Sequence, residues 1–322
     1  MTHVLITGGA GFIGSHLAEA LLDRGDEVSV LDNFDPFYPR AIKESNLRAC
    51  AGRPGFQLID GDVRDRAGVA ALLSPGVAVV HLAALAGVRP SVAAPERYAD
   101  VNVGGTAALL AAMADAGATR LVFASSSAVY GDDTPAPFRE DAPAVAPVSP
   151  YGATKRAAEL LVGAMAPLAG LRAAIVRLFT VYGPRQRPDL AIHAFARRMV
   201  GGEPITLFGS GQARDYTFVT DAVAGLLGAL DWTGTATPGH PGCFNVGGNH
   251  PIPLETMASR LAHALGVTAT IEHAPAQPGD VLWTAADLSH SGPVLGYRPR
   301  VPFADGLDRF VAWFRETYAL AH

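Results

Sequence analysis

Short apolar runs alternate with stretches in which apolar residues return every three or four positions, over the first two thirds of the chain. The runs at 4–7, 27–31, 56–60, 77–81, 119–124 and 173–178 read as strands. The periodic stretches at 12–24, 65–73, 94–116 and 150–168 read as helices. In 12–24, for example, Leu17, Ala18, Leu21 and Leu22 share one face. Strands that alternate with helices predict an α/β fold with a doubly wound parallel sheet. The Pro- and Ala-rich segment Thr134 to Pro150 reads as a loop. Beyond Gly183 the pattern loosens, with prolines at 184, 188, 204, 238, 241, 251, 253, 275 and 278. The expected division is a first domain over 1–180 with a return segment near 205–235, and a smaller C-terminal α/β lobe from 181–204 and 236–322.

Composition narrows the class. A chain of 322 residues can bury a large core and still carry a smaller lobe. The formal net charge of −5, without a basic cluster, argues against a nucleic-acid surface. No apolar run reaches the ~20 residues that span a bilayer, so no membrane partner is expected. The N-terminal apolar run ends in a glycine-rich turn and does not read as a signal peptide. Cys50 and Cys243 stand far apart without metal spacing, which fits a reducing cytoplasm, and the dispersed histidines propose no metal site.

The first strand runs Val4-Leu5-Ile6-Thr7 into Gly8-Gly9-Ala10-Gly11-Phe12-Ile13-Gly14, and a helix follows. Gly8 suits the tight turn, Gly11 lets a pyrophosphate approach the backbone, and Gly14 permits close helix–strand packing. Phosphates would meet amide groups at the helix N-terminus. The second strand ends at Asp32, followed by Asn33, where an acid can hold the adenosine ribose hydroxyls and repel a 2′-phosphate. Strand, glycines, helix, strand and terminal acid in register predict NAD as cofactor.

Farther on, Tyr151-Gly152-Ala153-Thr154-Lys155 puts Tyr and Lys four apart on one helical face. Ser149-Pro150 supplies an N-cap and a first-turn proline. A phenol titrates near pH ~10, and an adjacent ammonium favours the phenolate, so the pair can take and return a proton.

Taken together, TGGAGFIG, Gly61-Asp62-Val63, His81-Leu82-Ala83-Ala84, Asn102 in VNVGGT, SSSAVYG, YGATK and RDYTFVTD resemble the extended short-chain dehydrogenase/reductases, and within them the nucleotide-sugar epimerases. The resemblance spans nearly the whole chain. It implies that Asp62 and Val63 contact the adenine end, that Leu82, Ala83 and Ala84 line the dinucleotide path, and that Asn102 is mainly structural. Ser126 would hydrogen-bond the sugar oxygen that Tyr151 deprotonates, with Ser127 as a helper, and Lys155 would hold the nicotinamide ribose. Related dehydratases resemble TDEVYG here, and related decarboxylases TSEVYG. This chain has Ser127 and Ala128 at those positions and so lacks the carboxylate for elimination. Oxidation and re-reduction at carbon 4 of a UDP-sugar is what remains.

The segment Leu178 to Asp189, together with Asp32 to Tyr38, Ala86 to Arg89, and Gln277-Pro278-Gly279-Asp280, is similar to the UDP-glucuronate 4-epimerases. That points to interconversion of UDP-glucuronate and UDP-galacturonate. A guanidinium suits a uronate carboxylate. Arg185 and Arg89 are therefore the carboxylate candidates, with Thr180 and Ser127 as donors, Arg214 for the UDP phosphates, and Gln277 and Asp280 nearby. A UDP-glucose/UDP-galactose epimerase and a UDP-glucuronate decarboxylase stay open at this point. The family commonly pairs two helices per subunit in a homodimer. Here these would be 94–116 and 150–168, whose Leu109, Leu110, Met113, Leu160, Leu161 and Met165 permit such an interface and would serve equally well in the core of a monomer.

Overall fold

In the computed structural model, residues 1–277, 279 and 281–318 are described. Six strands fall where the apolar runs predict them: β1 (His3–Thr7), β2 (Glu27–Asp32), β3 (Phe56–Asp60), β4 (Ala78–His81), β5 (Arg120–Ser126) and β6 (Arg172–Leu178). Then come β7 (Thr180–Tyr182), β8 (Ile205–Phe208), β9 (Ala213–Phe218), β10 (Gly242–Val246), β11 (Pro251–Pro253) and β12 (Ile271–Ala274). The main sheet runs β3-β2-β1-β4-β5-β6-β10, all parallel. Strands β1, β2, β4, β5 and β6 are buried almost throughout because helices cover both faces, whereas edge strand β3 is partly to fully exposed along its length.

The helices are α1 (Phe12–Asp23), α2 (Arg40–Asn46), α3 (Arg66–Ala70), α4 (Val88–Ala93), α5 (Pro95–Tyr98), α6 (Gly105–Ala116) and α7 (Pro150–Ala169). They continue with α8 (Ala191–Val200), α9 (Val219–Thr235), α10 (Leu254–Leu265), α11 (Ser291–Leu295) and α12 (Phe303–Thr317). Alternate residues of β1 feed two cores. Val4 and Ile6 pack with Leu17 and Leu21 of α1 and Leu226 and Leu230 of α9. Leu5, on the opposite face, joins Leu109, Leu110 and Met113 of α6 and Val162 of α7. No helix among the described residues is long and apolar enough to cross a membrane.

Three placements differ from the sequence expectation. The stretch 94–116 is not one helix: α5 leads through a π-helical turn, Ala99–Gly104, into α6. That widened turn carries Asn102, whose amide bonds both backbone groups of Leu85 (2.8 and 3.0 Å) and the Thr154 hydroxyl (3.0 Å). Strand β10 lies inside the stretch assigned to the lobe, yet it pairs with β6 as the sheet's seventh strand, while β8, placed in the return segment, pairs with β12. The chain therefore returns to the main sheet through α9 and β10. Finally, Leu109, Leu110 and Met113 are core residues, so of the expected interface set only Leu160 is openly exposed.

Candidate active site

A cavity of about 470 Å³ opens at the C-terminal ends of β1 and β4, where the strand order reverses. Ligands of open α/β sheets bind at such a switch point. One wall is the glycine turn. Gly8 has φ +72, and a Cβ there would lie 2.7 Å from the backbone of Ala83, so no other residue lets the turn press against the β4 loop. Gly11 caps α1 without a side-chain bond, leaving the first-turn amides of Phe12, Ile13 and Gly14 without intrahelical partners at the cavity. A pyrophosphate fits that arrangement.

Asp32 is buried at the end of β2 and accepts from Ala10 N (3.1 Å) and Phe34 N (2.8 Å). The following segment folds by successive side-chain turns: Asn33 accepts from Asp35 N and Asp35 from Phe37 N, each at 3.0 Å. Asn33 also donates to Asp62 (2.8 Å), and Arg64 grips Asp62 on both oxygens, holding its carboxyl well below the usual range. Val63, Leu82, Ala83 and Ala84 line the same path. Lys43 of α2 escaped the sequence reading. It is buried 3.4 Å from Asp32, lies over the Tyr38 ring, and lines the cavity, offsetting part of the Asp32 charge. It belongs to no motif, and its only signal is one cation set on the inner face of a short helix. The set fits a dinucleotide: free helix amides for the phosphates, and a buried carboxylate with a lysine for a ribose.

Midway along the cavity stand Ser126, Tyr151 and Lys155. Ser149 caps α7 as expected, accepting from Gly152 N at 3.1 Å, and Pro150 is the first helical residue. Gly152 has a steric purpose: a Cβ there would meet the Ala128 carbonyl at 2.4 Å. Its absence lets the Ser126–Ala128 turn pack onto the helix opening beside Tyr151. The Ser126 hydroxyl accepts from Ala128 N (3.2 Å) and lies within hydrogen-bonding reach of the Tyr151 phenol. Burial pushes the Tyr151 pKa up, while Ser126 and the charge of Arg187 pull it down. Lys155 donates instead to the Ala124 carbonyl (2.8 Å), and burial lowers its ammonium to about 8. One turn on, Glu159 pulls that value back up while bonded to Ser125 (2.6 Å) and paired with Arg177 (2.9 Å).

The sugar end departs most from expectation. Thr180, Ser127 and Arg214 line the cavity as expected. Arg214 donates to the carbonyls of Ala213 (3.0 Å) and Leu282 (3.3 Å). Asp215 faces away and staples three backbone amides, those of Gly248, Asn249 and Ala286. Arg185 does not reach the cavity. Its φ of +64 turns the side chain to α1, where it pairs with Glu19 at 2.6 Å. Arg187, two residues on, takes the place expected of Arg185. It lines the cavity, pairs with Asp189 (2.7 Å), lies over the Phe37 ring, and acts on the Tyr151 phenol. Arg89 stacks on Phe208 with 4.5 Å to the ring centroid and is not among the cavity residues. Gln277 is half-buried and also outside the lining, and Asp280 lies outside the described residues.

Comparison with known proteins agrees with this geometry. Residues 4–247 match the NAD dependent epimerase/dehydratase family. UDP-glucuronate 4-epimerase of Thermodesulfobacterium geofontis is 37% identical, the match covering 99% of this chain and 98% of that protein. The crystal structure of UDP-glucuronic acid 4-epimerase from Bacillus cereus, in complex with UDP-glucuronic acid and NAD, superimposes with a TM-score of 0.91 at 34% identity, over 98% of this chain and 100% of that one. A dTDP-glucose 4,6-dehydratase from Streptomyces venezuelae, with NAD bound, reaches 0.90 at 33% identity, covering 99% and 98%. Backbone likeness alone thus leaves the reaction to be argued from the site, but the lineage is plain: this chain belongs to the NAD dependent epimerase/dehydratase family.

Proposed function

We propose that the protein interconverts UDP-glucuronate and UDP-galacturonate by epimerisation at carbon 4, with NAD as resident cofactor. The observation that carries this reading is one cavity holding Tyr151 between the dinucleotide cradle and Arg187. When bound, NAD supplies reversible oxidation at carbon 4. Asp32 and Lys43 hold its adenosine ribose, and the amides of α1 hold its pyrophosphate. Tyr151 acts as the phenolate, a form that Ser126 and the Arg187 charge favour against burial. It takes the proton of the 4-hydroxyl to become the phenol and returns it after the sugar turns over, while Ser126 donates to the same oxygen. Lys155, close to neutrality at about 8, contributes a positive charge beside the reacting centre.

Arg187 meets the sugar carboxylate in a fork that Asp189 keeps aligned, with Thr180 and Ser127 as further donors. Recognition is half of its task. Once carbon 4 is a ketone the uronate is a β-keto acid, and it loses carbon dioxide most easily when the breaking bond stands perpendicular to the carbonyl plane. A carboxylate held in the carbonyl plane keeps its carbon. Ala128, where the related dehydratases and decarboxylases carry an acid, leaves the site without a second carboxylate for elimination.

The same reading places the enzyme in the reducing cytoplasm, which suits the free Cys50 and Cys243. We also infer that two copies pair as a homodimer, with the exposed Leu160 and Leu168 of α7 in support, which light scattering would test. The activity is tested by incubating purified protein with UDP-glucuronate, without added NAD, and following products by proton NMR. UDP-galacturonate rising to a steady mixture is expected. UDP-xylose, or no change even with NAD supplied, would contradict the proposal.

A further inference from the structure

Arg185 was expected in the cavity and lies outside it, and its surroundings suggest what it does there. The loop between β7 and α8 is held residue by residue from different directions. His16 of α1 bonds the Pro184 carbonyl at 3.0 Å. Burial and the Arg185 guanidinium lower the His16 pKa to about 4, so a neutral ring donates its Nε2–H. Arg185 grips Glu19 at 2.6 Å and approaches the Ser15 hydroxyl at 3.4 Å, both on α1. From the opposite side, His193 of α8 bonds the Gln186 carbonyl at 2.7 Å and is itself tied to the Tyr318 hydroxyl at 3.0 Å. The next residue is Arg187.

Two details separate this arrangement from an ordinary surface ion pair. The Arg185–Glu19 pair is four-fifths buried, with side-chain exposures of 20% and 22%. Arg185 also sits at φ +64, a left-handed conformation that a non-glycine residue holds only when its surroundings impose it. That backbone twist sends successive long side chains in different directions, Arg185 to the phosphate-binding helix and Arg187 to the cavity. Ser15 in turn donates to the Phe12 carbonyl (3.1 Å) in the opening turn of α1, so the contacts run without a gap from the cofactor cradle to the loop.

We propose that Arg185 is a positioning residue: by anchoring the loop to Glu19 and Ser15 of the cofactor helix, it sets where Arg187 meets the sugar carboxylate. The inference rests on the reading of Arg187 as the carboxylate ligand. It gives the selectivity for a uronate a second determinant that touches neither substrate nor cofactor.

The test measures binding of UDP-glucuronate and of UDP-glucose, which lacks the carboxylate, by calorimetry. The NAD-loaded protein is used in a Tyr151→Phe background that does not turn over. Glu19→Gln and Arg185→Gln should each weaken UDP-glucuronate by about 5- to 10-fold, leaving UDP-glucose within about twofold. Arg185→Lys should restore most of the loss. In an Arg187→Ala background, Arg185→Gln should add nothing, the non-additivity of residues acting through one contact. Equal weakening of both ligands, no weakening of either, or full additivity would overturn the proposal while leaving the carboxylate reading intact. If Arg187→Ala itself fails to discriminate the two sugars, the carboxylate reading falls and this inference with it. Should Arg185→Gln fold poorly, Glu19→Gln, which keeps the arginine, gives the answer alone.

Discussion

At the dinucleotide end of the cavity recognition is made largely of backbone, and at the sugar end of long side chains. Gly8, Gly11 and the first turn of α1 present amides whose positions follow from strand, turn and helix, with Asp32 fixed by two backbone donors. At the other end Arg187 and Arg214 reach in from loops and short strands, steadied by Asp189 and by backbone carbonyls. A backbone cradle holds one kind of ligand and tolerates little change. A side-chain wall can be re-cut for a new sugar without disturbing the sheet. Tyr151 stands between the two because Ser149 caps the start of α7 and the bare Gly152 lets the Ser126–Ala128 turn pack onto that first turn.

The sharpest break between the regions should come at their junction. Tyr151→Phe removes the group that moves the proton, and turnover should fall by about 10²- to 10⁴-fold. NAD occupancy, read from the absorbance of the purified protein, should be retained, and its loss would make the residue structural. On the sugar side, Arg187→Ala forfeits charge-assisted hydrogen bonds worth about 1.5–3 kcal/mol. UDP-glucuronate affinity should therefore drop by about 10- to 100-fold, with UDP-glucose affinity nearly unchanged, in paired titrations. Gly152→Ala probes the backbone side. Its new Cβ meets the Ala128 carbonyl at 2.4 Å, an overpacking that should cost about 1–3 kcal/mol in denaturant titration and lower turnover more than substrate affinity.

The last break is acid sensitivity of the sheet beneath the cavity. His81 is buried between Thr7 (2.6 Å) and Thr106 (3.1 Å), and burial lowers its pKa to about 3. Below the unfolded value near ~6.5 the unfolded chain takes up a proton that the folded chain refuses, so stability falls as the pH drops from there toward 3. The slope from this one group is about 1.4 kcal/mol per pH unit. Unfolding titrations at pH 7 and pH 5 should differ less in His81→Gln than in the parent protein. An unchanged difference would place the acid sensitivity elsewhere.

What the sequence disclosed follows the same division. Strands β1 to β6, the Ser149 cap, the Tyr151–Lys155 pair and the glycine turn are legible because each is written locally, in periodicity or in residues a few positions apart. Strand β10 is a short run after a Pro- and Gly-rich stretch, and only tertiary pairing with β6 makes it part of the main sheet. Lys43 and Asp32 meet across eleven positions and belong to no motif. Choosing between Arg185 and Arg187 needed the sign of one backbone angle in an aperiodic loop, which the sequence does not encode by pattern. The π-helical turn at Asn102 was hidden for a related reason, since it arises from the amide's bonds to Leu85 and Thr154.

The central claim is that one retained cofactor and one phenol oxidise and re-reduce the same carbon of a uronic acid whose carboxylate is held still. UDP-glucuronate bearing deuterium at carbon 4 tests it most directly, with products followed by NMR and mass spectrometry in ordinary water. The account predicts UDP-galacturonate that keeps its deuterium at carbon 4 and an intact carboxylate. Loss of the label to solvent, or a pentose product, would contradict it.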